Sequence, residues 1–487
     1  VNTQIVRLYG FVLVLFVFLV AFTSRWAVLD AEDLEDEPDN RRPLIEEQRI
    51  ERGTITTSDG TLIAESVRAG GGVFVRQYPE AAALFGHPMG YSFVDIGRTG
   101  IESSENDLLS GEQNEFASII DEITNDQRQG NDITLTLDAG AQQVAMQSLQ
   151  SALSSTGSVG GSVVAIEPDT GAVRVMASIP NFDPEAVADE STFEQLSEDE
   201  DAPLLNRSTQ STYQPGSTMK VVTAVAALDS GEFEPDTTLE ANSGVEISGV
   251  PLANSGGQDF GTIDMTTALT NSVNTYWAQV GEQLGTDTMV EYMKRFGFYS
   301  DPELNYPDNQ MRASGPYNSD GRLVEEGFDV GRVAIGQGGA EGQLLATPTQ
   351  MAEVAAAVAN GGKLMKPTFL ESATDPDGRQ VEELDPDEAS EVMSEETSAQ
   401  VTEMMTNVAN EGTASGLTTS LGQLAGKTGT AEINVEEGLN RPWFIGFAPA
   451  EDPQIAVAAM LETCTGCFGG EVAGPIAMQV MDALAGE

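Results

Sequence analysis

Residues 8–22 form fifteen consecutive positions without a charge, and the apolar stretch extends back to Ile5 with only Arg7 intervening. At about 1.5 Å per residue such a run spans roughly 27 Å, close to one bilayer core. Its apolar side chains lie on every face, so the pattern predicts a membrane-spanning helix rather than a buried amphipathic one. The run leads into Thr23-Ser24-Arg25-Trp26 and not into a small-residue cleavage site. That reads as an uncleaved signal anchor with an aromatic at the interface. Arg7 and the terminal amine precede the span and Arg25 follows it, which predicts the N-terminus inside and the bulk of the chain outside.

Beyond the span, the pattern divides the chain further. Residues 27 to about 45 are acidic, proline-punctuated and aperiodic, as expected of a stalk. From about 46 to 130 short apolar runs such as Val73-Phe74-Val75 alternate with turns at Ser58-Asp59-Gly60-Thr61 and Gly70-Gly71-Gly72, predicting a small β-rich region. The character changes at Asp132. Residues 133–137 alternate as a strand, and 141–153 follow as a helix with Ala145, Leu149 and Leu153 on one face. A hairpin is predicted over 162–176, turning at Pro168-Asp169-Thr170-Gly171. Near the other end, 443–447 and 455–461 predict two more strands, and a helix is expected to open at Gly474-Pro475 and run to about Leu484. Strands from both ends of residues 131–487, with helices between, predict an α+β domain on one antiparallel sheet. Two acidic runs, 194–201 and 371–396, are expected as solvated loops or hairpins.

Charge then narrows the function. The 487 residues carry 77 acidic against 23 basic side chains, a net charge of −54. Phosphate contact needs clustered Lys and Arg, so a nucleic-acid binder is excluded. Five lysines under so much acid resemble proteins adapted to high salt. His87 is the single histidine, which argues against multi-histidine zinc sites and the Ser-His-Asp arrangement. A nucleophile here needs a base other than histidine.

Three clusters offer such chemistry. In Tyr213-Gln214-Pro215-Gly216-Ser217-Thr218-Met219-Lys220, a Pro-Gly turn precedes an apolar helix over 220–228. Ser217 then lies at a helix start, with Lys220 three residues on and on the same face. A neutral lysine can take a serine proton if burial and a second cation lower its pKa. The second cluster is Asn271-Ser272-Val273-Asn274-Thr275, on a loop between helical segments 265–270 and 276–281. The third is Ala425-Gly426-Lys427-Thr428-Gly429-Thr430, where strand alternation puts Lys427 and Gly429 on one face and Thr428 and Thr430 on the other. A phosphate loop is rejected there, because Leu421 stands where that motif needs glycine. Taken singly, each cluster also fits an ordinary capped helix, a polar connection or a plain strand.

The ordered set SxxK, SxN and KTG resembles the class B penicillin-binding proteins, serine D,D-transpeptidases of peptidoglycan, and most of all the actinobacterial penicillin-binding protein A group. The likeness runs almost full length and includes Glu51-Arg52-Gly53-Thr54-Ile55, Ala334-Ile335-Gly336-Gln337-Gly338 and Ala346-Thr347-Pro348-Thr349-Gln350. It implies a transpeptidase/β-lactamase-like domain over 131–487, a non-catalytic pedestal or dimerisation-like domain over 27–130 and a cytoplasmic tip with anchor over 1–26. It implies Ser217 as nucleophile, Lys220 as general base and Ser272 as proton relay. Asn274, Lys427, Thr428, Gly429 and Thr430 would bind substrate, and the backbone N–H groups of Ser217 and Thr430 would form the oxyanion hole. No cofactor, metal or glycosyltransferase domain is implied. The implied partners are stem peptides of nascent glycan, β-lactams, a cell-wall glycosyltransferase and division or elongation proteins, at the cell membrane. A serine D,D-carboxypeptidase or β-lactamase shares the three clusters, and a membrane-anchored scaffold or β-lactam sensor is the non-catalytic alternative. Cys464 and Cys467 stand outside the family pattern; outside the cell, a local disulfide is the expectation.

Overall fold

The computed structural model describes residues 2–25, 45, 47–111, 129–434 and 436–485. Apart from Ile45, the expected stalk and the interface residue Trp26 lie outside them. Asn2–Ser24 is one helix, long and apolar enough to cross a membrane and exposed along its length among the described residues.

The predicted antiparallel sheet is present. Its order is Ala425–Asn434, Leu439–Ala448, Ile455–Leu461, Gly161–Ile166 and Val173–Ile179, so both ends of the C-terminal region meet at its centre. Every residue of Ile455–Leu461 and Gly161–Ile166 is buried. That explains their continuous apolar runs: helices cover both faces, so alternation has no solvent side to record. Ala139–Thr156 and Gly469–Leu484 pack together on one face, and Pro348–Ala359 lies against the other. Ala425–Asn434 is left at the edge.

The last helix opens at Gly469, five residues before the expected start, and carries Pro475 inside. The missing Pro475 N–H costs the rung to Glu471, a residue exposed to solvent. The first acidic run is helical through Glu198 and a turn only over 199–201. Glu190–Glu198 is a helix without a buried residue, capped by the Asp189 side chain accepting from the Thr192 N–H. The second run does contain a hairpin, Leu370–Thr374 with Gln380–Glu383.

In the N-terminal region the two glycine-rich turns close a three-stranded meander, Ile55–Thr56, Leu62–Gly70 and Val73–Gln77. Short helical turns follow, at Glu80–Phe85, Gly86–Met89, Gly100–Ser104 and Asn106–Ser110. The strand predicted at 133–137 is Asp132–Leu135. It pairs parallel to Ile55–Thr56 and antiparallel to Leu370–Thr374, and so completes a sheet drawn from both regions.

Under that meander Glu102 is fully buried, 2.8 Å from the Arg52 Nε and 2.6 Å from the Arg76 Nε. Tyr78 Oη donates to it at 3.2 Å. Burial by itself would raise this carboxyl, but Arg76 and Arg52 hold it down at about 2. Removing Glu102 leaves the buried Arg76 without a described carboxylate and Arg52 with Glu47 at 3.5 Å as its remaining partner, so Glu102→Ala is expected to cost about 3–5 kcal/mol in a urea melt at pH 7. The native value lies below the unfolded 4.5, so this contribution is complete above pH 4.5 and is lost as pH falls towards about 2. A melt midpoint unchanged by the substitution would refute the assignment. His87 is equally remote from chemistry. It is buried edge-on to Phe182 with Nε2 2.9 Å from the Pro203 carbonyl, and burial drops it to about 4.

Candidate active site

The serine cluster is built as a tight entry into an apolar helix. Tyr213 exchanges two 2.8 Å backbone bonds with Ala346, after which the chain turns through Pro215-Gly216. Gly216–Met219 is a single 3₁₀ turn and Lys220–Asp229 continues it as α-helix, nine of whose ten residues are buried. Ser217 therefore lies inside the first tight turn, with Lys220 directly below. Two glycines permit the close packing around it. A Cβ on Gly336 would fall 1.9 Å from the Gly216 carbonyl oxygen, and one on Gly429 would fall 2.8 Å from that of Pro215. The strand carrying Lys427 can thus lie directly against the serine turn.

Five of the sequence-predicted side chains meet in one network. The Lys220 Nζ is 3.0 Å from the Ser217 Oγ, 2.8 Å from the Ser272 carbonyl oxygen, 2.7 Å from the Asn274 Oδ1 and 3.3 Å from the Ser272 Oγ. The Lys427 Nζ donates to the Ser272 Oγ at 2.9 Å and to the Thr428 carbonyl at 2.9 Å. Ser272 thus bridges the two lysines. It is held with φ +56°, a left-handed conformation uncommon for serine, by backbone bonds from Ser272 to Leu269 and from Val273 to Ala268. Asn274 lies not on the loop but in the first turn of the long helix Asn274–Arg295.

Both lysines are fully buried, and neither pairs with a described carboxylate. Burial, with the Lys427 charge added, drives the Lys220 amine well below its ordinary value. Burial alone brings Lys427 to about 7. Burial thus favours the neutral amine at both lysines, and at Lys220 the neighbouring Lys427 charge adds to it. A neutral amine has two hydrogens and one lone pair. The hydrogens are taken by the Ser272 carbonyl and the Asn274 Oδ1, so the lone pair is left for the Ser217 hydroxyl.

Along the edge strand the alternation is as expected. Lys427 and Gly429 face the serine turn, whereas Thr428 and Thr430 face the opposite way. The Thr428 Oγ1 is 2.6 Å from the Thr413 Oγ1, and the Thr430 Oγ1 accepts from the Gly469 N–H at 3.2 Å. Gly426-Lys427-Thr428 lies in mid-strand, not at a loop opening a helix, so no phosphate loop exists there. Cys464 and Cys467 are joined, in the connection that ends at Gly469. Sequence reasoning did not find Thr413, Gly469 or the buttress behind Tyr213. In that buttress the Tyr213 Oη donates to Glu462 at 2.6 Å, Arg207 pairs with the same carboxylate at 3.0 Å, and Arg441 lies over the Tyr213 ring. These residues join the site only through tertiary pairing, and no local spacing announces them.

A serine hydroxyl facing a buried, proton-poor lysine, beside the edge of an antiparallel sheet, defines an active-serine acyl-transfer protein. Residues 161–482 match the penicillin-binding protein transpeptidase domain, and residues 52–133 match the penicillin-binding protein A dimerisation domain. The chain is 32% identical to the peptidoglycan D,D-transpeptidase PbpA of Mycolicibacterium smegmatis, over 98% of its own length and 97% of that protein. It is 30% identical to the Mycobacterium tuberculosis protein of the same name, over the full length of both. The ceftriaxone acyl-enzyme of penicillin-binding protein A from M. tuberculosis superposes with a TM-score of 0.78 at 29% identity, covering 90% of this chain and 99% of that one. The chain belongs to the penicillin-binding protein transpeptidase family, with the dimerisation module of its A group.

Proposed function

We propose that this chain is a peptidoglycan D,D-transpeptidase in which Ser217 and Lys220 perform acyl transfer. The observation that carries this reading is the Lys220 Nζ, 3.0 Å from the Ser217 Oγ with its hydrogens already engaged. As the Ser217 Oγ attacks the carbonyl between the two terminal D-alanines of a stem peptide, Lys220 takes the hydroxyl proton. The backbone N–H groups of Ser217 and Thr430 receive the oxyanion. Ser272, bridging the lysines, passes a proton to the departing D-alanine nitrogen, and the peptide bond breaks to leave an ester on Ser217. Lys220 resupplies Ser272 and so becomes neutral again; the amine of a neighbouring stem then attacks the ester and gives its proton to Lys220, which hands it to the Ser217 oxygen as the ester C–O bond breaks and the crosslinked product leaves. Asn274 holds the substrate amide, and Lys427, Thr428 and Thr430 receive the terminal carboxylate. In a β-lactam the leaving nitrogen stays tethered to the acyl group, so the adduct persists.

The helix Asn2–Ser24 supports a membrane anchor; in this reading it crosses once, with residues 27–130 as stalk and pedestal and 131–487 as the catalytic domain outside. The glycan that bears the stems comes from a glycosyltransferase, and the division or elongation machinery is the setting in which the two would meet.

Labelling with a fluorescent penicillin and mapping the adduct tests the assignment. A folded chain without an adduct on Ser217 would sink it. Turnover of that adduct within seconds would favour a hydrolase instead. Ser272→Ala is expected to lower the acylation rate about 100-fold, in the range of a lost proton-transfer group. Labelling kinetics measure it, and a loss of less than threefold would remove Ser272 from the relay.

A further inference from the structure

Thr413 belongs to none of the three motifs, yet it touches the end of the helix Met265–Thr270, which leads into one of them, and the strand that carries another. It follows the helix Glu395–Asn410, on the turn Glu411-Gly412-Thr413-Ala414. Its N–H donates to the Thr270 carbonyl at 3.3 Å, two residues before Ser272. Its Oγ1 is 2.6 Å from the Thr428 Oγ1. Its carbonyl lies where a Cβ on Gly470 would come within 2.7 Å, against the first turn of the last helix. Gly412 packs as closely, since a Cβ there would fall 2.2 Å from the Thr270 oxygen.

Two hydroxyls on the edge strand are thus held from behind. The Gly469 N–H donates to the Thr430 Oγ1, which occupies a lone pair and leaves the Thr430 proton free. Thr413 stands in the same relation to Thr428. When the Thr413 hydroxyl donates to the Thr428 Oγ1, the Thr428 proton is directed away from its partner and towards an incoming acceptor. A hydroxyl that already accepts a bond is also the stronger donor. Thr428 is almost wholly buried, so bulk water is poorly placed to do this, whereas Thr413 lies on the exposed side of the pair.

We propose that Thr413 is a positioning residue for carboxylate recognition, orienting the Thr428 hydroxyl and tying the Ser272 loop to the Lys427 strand. This rests on the transpeptidase reading, in which Thr428 meets the substrate carboxylate.

The test compares acylation of the full-length chain by benzylpenicillin and by its methyl ester, which lacks the anionic acceptor. Thr413→Val is expected to slow benzylpenicillin about tenfold and the ester less than twofold, with Thr413→Ser within twofold of the parent for both. Equal losses for acid and ester, or no loss for either, would overturn the proposal. Should Thr413→Val not fold in a thermal melt, Thr413→Ser against Thr413→Ala decides by the same acid-to-ester ratio. A parent chain that neither compound acylates would overturn the transpeptidase reading itself, and this one with it.

Discussion

Ser217→Ala is expected to abolish covalent labelling by penicillin and to lower crosslinking by at least about four orders of magnitude, while leaving the thermal midpoint close to that of the parent. Only the oxygen proposed to form the ester is removed, and the next hydroxyl of the 3₁₀ turn, Thr218, is turned away to donate to the Pro215 carbonyl at 2.8 Å. The Lys220 amine keeps its contacts to Ser272 and Asn274, so little destabilisation follows. Mass spectrometry of the penicillin-treated variant reads the first effect, and a crosslinking assay on lipid-linked substrate reads the second. An adduct at any other residue with retained crosslinking would refute the nucleophile.

The second large effect falls on Lys220. Lys220→Met keeps the apolar length and removes the base, and acylation is expected to fall by about 10²–10⁴. Its stability at pH 7 should be equal or higher, because a buried amine is replaced by an apolar group. Lys220→Arg should be as inactive and less stable, since guanidinium stays charged in a site that has no described carboxylate for it. The double variant with Ser217→Ala should lose no more than Ser217→Ala alone, as the two act as one unit. The pH profile has a definite sign. Acylation of the parent rises with pH as Lys220 empties of protons. For a carboxylate-bearing β-lactam an opposing decline sets in at about pH 7, where Lys427 loses its charge. Stability moves oppositely to that decline. Between about 7 and the unfolded value of 10.5 the unfolded chain binds more protons than the folded one, so stability rises with pH there. Acylation equal to the parent in Lys220→Met would end the case for the base.

Much of this was legible because the chain repeats its chemistry in local pattern. The span at residues 8–22, the hairpin at 162–176 and the two C-terminal strands each carry a period or a run that burial imposes. Ser217 and Lys220 were legible as a pair because one helical turn sets their spacing. What escaped was set by tertiary contact. The helix start at Gly469 depends on an N–H reaching Thr430, and a Cβ at Gly469 would lie 2.1 Å from the Trp443 oxygen, neither of which Gly474-Pro475 can report. Glu190–Glu198 was missed because it buries nothing, so no apolar stripe marks it. Thr413 was missed because its partners lie 15 and 143 residues away along the chain.

The strand Asp132–Leu135 bears on how tension would travel. It bonds on one side to Ile55–Thr56 and on the other to Leu370–Thr374. Just beyond it the Thr136 Oγ1 donates to the Val173 carbonyl at 2.8 Å and to the Thr368 carbonyl at 3.0 Å, reaching the outermost strand of the catalytic sheet. A pull arriving from the anchor through residues 47–56 would load the parallel ladder in shear, with its rungs sharing the strain, instead of unzipping them one at a time. Residues 52–133 are therefore expected to act as a stiff lever on the sheet of the transpeptidase domain rather than as a hinged spacer. Amide exchange along 54–56, 132–136 and 370–374 should slow and quicken together when the chain is stretched or loosened at either end.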